Sequence, residues 1–158
     1  MNNFVGLSAV LTGFAAATIA PAIDPINIKA EYYAKFQAEI GNNLFFQILS
    51  DFQTLNTPPG SNQTQEEKNQ LIGEAMLAGS NGENYVMSCR KLIFLWYSGA
   101  WPTVDGDMTS SQMLSAKSYT QGLAWQVMQS HPMGDSNYRY GYWANKPADL
   151  SGYTGNNN

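Results

Sequence analysis

Between positions 4 and 97, apolar residues recur every three or four places in stretches cut off by glycine or a polar loop. That period belongs to helices with one buried face, and it leaves little room for any other fold. Phe4, Leu7 and Leu11 carry the first stretch behind Asn2 and Asn3 as candidate caps, and Gly13 is placed to end a helix over 4–12. An apolar connector then runs to Pro21. Asp24-Pro25 has helix-start chemistry, since the carboxylate accepts free amides and proline suits the first helical position. Ile28, Tyr32, Phe36 and Ile40 continue that helix to Gly41. Leu44, Phe45, Ile48, Leu49 and Phe52 form the stripe of a third. Thr64 and Glu67 make a capping box that opens a fourth through Leu71, Ile72, Met76 and Leu77. Glu83 starts the most hydrophobic helix, over 85–97, which Gly99 closes and which reads as the centre of a bundle.

Two stretches break the pattern. Residues 54–64 contain Pro-Pro-Gly and read as a surface loop. Beyond Gly99 the helical period weakens, and all four Trp lie at position 96 or later. One further helix fits 115–128. Residues 137–143 alternate, but Pro147 and the glycines favour an extended arm over a central strand. The expected fold class is therefore mostly α: a compact helical bundle with an irregular, aromatic-rich C-terminal arm. It occupies a single domain over 1–150, with a flexible tail at 151–158.

Composition excludes several functions. Net charge is −4, which argues against nucleic acid and against a basic membrane-surface patch. One Cys forbids an internal disulfide, and one His makes a Ser–His or Cys–His hydrolase a poor fit. No G-x-G-x-x-G is present, so the chain has no dinucleotide loop of its own. Residues 4–22 are apolar, but no positive segment precedes them and Thr12-Gly13 interrupts them. They read as neither a signal peptide nor a membrane span. Charged residues make up 13%, against roughly 25% in ordinary soluble domains, while aromatics also reach 13%. Such a surface suits burial against a partner, because interfaces deplete Lys and Glu and enrich aromatic residues. An amide-rich exported protein would show the same composition.

Candidate sites are few. Trp96-Tyr97-Ser98-Gly99 reads as a cofactor cradle or, more simply, as a buried aromatic helix end. Tyr119 and Trp125 read as packing. Asp105 and Asp107 lack the later ligands of a calcium loop and read as a solvated turn. His131 has no titratable neighbour in sequence and reads as a loop residue. Cys89 reads as a small buried apolar side chain. The strip Tyr138, Arg139, Tyr140, Tyr142 and Trp143 is rich in the residue types that dominate binding hot spots and reads as a partner contact. An arm wrapping the domain's own core is the alternative.

Four patches in order also resemble a known family. They are Phe4-x-x-Leu7-Ser8-x-x-Leu11-Thr12-Gly13 with Ile23-Asp24-Pro25, Leu95-Trp96-Tyr97-Ser98-Gly99, Ser118-Tyr119-x-x-Gly122-Leu123-Ala124-Trp125, and Gly141-Tyr142-Trp143-Ala144-Asn145-Lys146-Pro147. Together they are similar to the small subunits of bacterial membrane-bound, flavin-dependent sorbitol, fructose and glucose dehydrogenases. Gly122 stands where that family has Ala, and 136–140 lacks the Cys that many relatives carry there. The resemblance implies a non-catalytic escort that binds no cofactor itself. Its partners would be a large flavoprotein holding FAD, with or without an iron–sulfur cluster, and a multihaem cytochrome c. It implies a periplasmic complex on the outer face of the cytoplasmic membrane, no membrane span in this chain, and a twin-arginine export signal upstream. The reading from a different class is a stand-alone small sugar-binding protein or enzyme with an aromatic pocket.

Overall fold

The computed structural model describes residues 1–57, 63–104, 107–130, 132 and 151–154. The chain is mostly α-helical, as its spacing predicts, and divides into two units, Met1–Ile93 and Phe94–Asn158.

The first unit holds α1 (Asn2–Thr12), α2 (Ala16–Ile19), α3 (Ile28–Ile40), α4 (Asn42–Leu55), α5 (Gln65–Met76) and a 3-10 turn at Gly79–Asn81. It also holds most of α6 (Glu83–Ser98), which runs through the boundary. α1 lies against α2, α4 and α5, and α4 lies against α3 and α5. Their apolar faces meet in a core that buries Phe4, Leu7, Tyr32, Phe36, Phe45 and Ile48 completely. Each such side chain contributes about 1.5–3 kcal/mol of transfer free energy. The rings touch edge to face: Tyr33 lies 5.3 Å from Phe4 and 4.9 Å from Phe45, and Phe36 lies 5.8 Å from Phe45. That geometry sets the positive edge of one ring on the negative face of the next.

Local chemistry explains where helices begin and end. Gly13 ends α1 in the left-handed conformation, with its N–H on the Ala9 carbonyl, as the sequence predicts. The expected asparagine caps are absent, because Asn2 and Asn3 already lie inside α1, and the Asn3 amide instead donates to Gln53 Oε1 at 2.9 Å. The apolar connector contains a single turn, α2, that its sequence does not announce. Asp24-Pro25 does not start α3. One Asp24 oxygen accepts the Asn27 N–H at 2.7 Å and the other pairs with Lys29 Nζ. Asn27 then takes a left-handed φ of 53°, so the helix begins at Ile28. The capping box of α5 forms as expected: Thr64 Oγ1 accepts the Glu67 N–H at 3.1 Å, and Glu67 Oε2 accepts the Thr64 N–H at 2.8 Å.

The second unit carries the end of α6, a hairpin of β1 (Ala100–Val104) and β2 (Asp107–Met113), then α7 (Ala116–Thr120), α8 (Leu123–Val127) and the single turn α9 (Ser151–Thr154). The strands pair antiparallel, with Trp101 opposite Gln112 and a register shift between Pro102 and Val104. Proline is tolerated because each strand of a two-stranded sheet has an open edge. The helix expected over 115–128 is two helices. Gly122 adopts an extended conformation between them, and the Trp125 indole N–H folds back onto the Tyr119 carbonyl at 2.7 Å.

Candidate functional site

The motif residues of the second unit lock together through their glycines. Gly99 follows α6 with φ 72°, and a methyl group there would meet the Ser118 carbonyl oxygen at 2.1 Å. Gly122 also approaches the Tyr97 carbonyl closely, since a Cβ on it would lie 2.8 Å from that oxygen. The Trp96-Tyr97-Ser98-Gly99 segment and the segment from Ser118 to Trp125 are thus one interlocked unit. Tyr119 and Trp125 stack edge to face at 5.3 Å. Trp96 is buried, and burial raises the pKa of the half-buried Tyr97 hydroxyl. These contacts are those of close side-chain and backbone packing.

The opening motif is likewise structural along most of its length. Phe4, Leu7 and Ser8 face the core, Leu11 is half-buried, and buried Thr12 donates its hydroxyl to the Ser8 carbonyl at 2.7 Å. The Ile23-Asp24-Pro25 motif behaves differently. The loop from Pro21 to Asn27 exposes Pro21, Ala22 and Pro25, with Ile23 87% and Ile26 38% accessible. Asp24 stiffens the loop through Asn27 and Lys29, and the Lys29 ammonium holds its carboxyl below the usual range. An apolar loop is therefore presented outward on a polar brace.

A second feature escaped the sequence. Phe46 falls outside the buried stripe of α4 and is 56% exposed, with its ring held 5.5 Å from Phe45 at 77°. It borders a groove of about 720 Å³ framed by α1, α3 and α4. The signal was a large aromatic residue out of phase with the apolar stripe beside it.

Cys89 is fully buried, and desolvation pushes its thiol up to about 12, so it is an inert packing residue. The Tyr85 hydroxyl donates to Met76 Sδ at 3.5 Å and is likewise raised by burial. Asp107 is the first residue of β2 rather than part of a solvated turn, and its carboxylate accepts the Thr109 N–H at 2.8 Å. Asp105, His131, Pro147 and the strip Tyr138, Arg139, Tyr140, Tyr142 and Trp143 lie outside the described residues. Among the described residues no three His, Cys, Asp or Glu side chains cluster as metal ligands, and no helix is long and apolar enough to cross a membrane. No family model, curated protein or solved structure matches the chain.

Proposed function

We propose that this chain is a non-catalytic small subunit of a periplasmic FAD-dependent sugar or polyol dehydrogenase. It would bind and stabilise the flavoprotein and assist its export and maturation. The observation that carries this reading is the outward-facing loop with Ile23 and Ile26. Those side chains sit in and beside the Ile23-Asp24-Pro25 motif, where helix packing accounts for the rest of the opening segment. A single exposed isoleucine is ordinary; two on a proline-rich loop braced by Asp24 form a docking element. The flavoprotein would carry FAD, with or without an iron–sulfur cluster, and the multihaem cytochrome c would take the electrons. In this reading Tyr138, Arg139, Tyr140, Tyr142 and Trp143 form a second anchor strip on the flavoprotein. A partner that binds only the folded flavoprotein stabilises it by mass action, by about 2.7 kcal/mol at a hundred times its dissociation constant.

The test is co-purification with the flavoprotein. The double variant Ile23→Ser, Ile26→Ser is expected to keep its melting temperature, because both side chains are already accessible. It should lose on the order of 1–3 kcal/mol of binding. Unchanged co-purification of that variant removes the docking loop. A purified chain that is yellow, and that alone oxidises sugar with an artificial electron acceptor, overturns the accessory role altogether.

A further inference from the structure

We infer that the groove beside Phe46 is a binding site for a pyranose sugar, a function separate from the docking of a flavoprotein. Phe46, Leu49, Ser50 and Gln53 line one side of it, at spacings of three and four along α4, and therefore on one face of that helix. Met1 and the first turn of α1, with Asn2 and Asn3, also border it, and α3 supplies Tyr33.

Three properties select the ligand. The first is an aromatic platform. Phe46 is more than half accessible, yet it is the outer end of a run of edge-to-face contacts from Phe4 through Tyr33 and Phe45. A rigid ring with an open, electron-rich face suits the C–H-bearing face of a pyranose, whose hydrogens are weakly positive. The second is a paired donor and acceptor. The Asn3 amide donates to Gln53 Oε1 at 2.9 Å, which leaves Asn3 Oδ1 as an acceptor and the Gln53 NH₂ as a donor on neighbouring atoms. Two adjacent hydroxyls, each able to give and take one hydrogen bond, complement that pair. The third is charge: among the described residues that line the groove, none has a charged side chain. A cationic ligand therefore meets no carboxylate there, whereas a polyhydroxyl ligand needs none. A volume of about 720 Å³ accommodates one or two sugar rings.

The experiment titrates the full-length chain with D-glucose, maltotriose and D-sorbitol, reading backbone and side-chain amide signals by two-dimensional NMR. The expected result is saturable movement of the Asn3 and Gln53 side-chain NH₂ signals with glucose or maltotriose. Sorbitol, which has no ring face, should be weaker. Tighter binding of maltotriose would mark a glycan chain as the ligand, and equal binding a free monosaccharide. Phe46→Ala should weaken binding by about tenfold or more, while Phe46→Trp should retain it. Both should keep the wild-type melting temperature, since the ring is largely exposed. No saturable shift with any of the three probes overturns the proposal. So does Phe46→Ala binding as wild type, or shifts confined to residues away from the groove. These outcomes do not depend on co-purification with a flavoprotein, so the two readings fail separately.

Discussion

At the scale of single residues, three glycines with different surroundings predict three outcomes. Gly99 combines φ 72° with a Ser118 carbonyl oxygen that an added methyl would meet at 2.1 Å, so Gly99→Ala is expected to cost about 3 kcal/mol or more. Gly122→Ala meets the Tyr97 carbonyl and should cost about 1–3 kcal/mol. Gly73 sits inside α5, and a methyl there would touch only Val10 Cγ1 at 3.8 Å; Gly73→Ala should stabilise by about 0.5–1 kcal/mol. Urea unfolding of the three variants decides the matter. Cys89 adds a dependence on pH. Its folded-state pKa lies near 12 against an ordinary value near 9, so the folded state keeps a proton that the unfolded chain releases. The stabilisation is whole below pH 9 and is lost as pH climbs from 9 towards 12. Cys89→Ala should flatten that alkaline limb, and a thiol reagent should label Cys89 only once the protein unfolds. The glycine that ends α6 was legible in the sequence. Its contact with Ser118 was not, because spacing along a chain does not reveal which distant carbonyl will arrive.

Among elements, legibility followed the source of each boundary. Helix ends fixed by local bonds, such as the Thr64–Glu67 box and the left-handed Gly13, stood where the sequence placed them. Thr64→Ala should therefore cost about 1 kcal/mol in thermal unfolding, while Thr64→Ser should keep most of it. Boundaries fixed by a competing partner were misread. Asp24 spends its carboxylate on Asn27 and Lys29, outside the helix it was expected to start. The single helix expected over 115–128 yields to an extended Gly122. The β1–β2 hairpin was invisible for another reason. Its second strand, DMTSSQM, has almost no buried side to alternate with its exposed one, so period two never enters the sequence. The groove was missed because Phe46 is an exception to a stripe, and periodicity registers rules.

Across the whole molecule, the helical class followed from the apolar period, while the division at Ile93 and Phe94 left no mark on it, since α6 passes through unbroken. The aromatic residues are nonetheless divided unequally between the two units. Every tryptophan, at 96, 101, 125 and 143, belongs to the second, and the first holds only Phe and Tyr rings. The protein is thus optically labelled by its own composition. Excitation at the red edge of the absorption band reports the second unit alone, and the buried Trp96 and Trp101 should make its native emission blue. Far-ultraviolet dichroism is weighted towards the first unit, where α1, α3, α4 and α5 lie. A melt followed by both signals measures, without any introduced probe, whether α6 transmits unfolding from one unit to the other. Coincident curves would mean one cooperative molecule, and separated midpoints two bodies that share a helix.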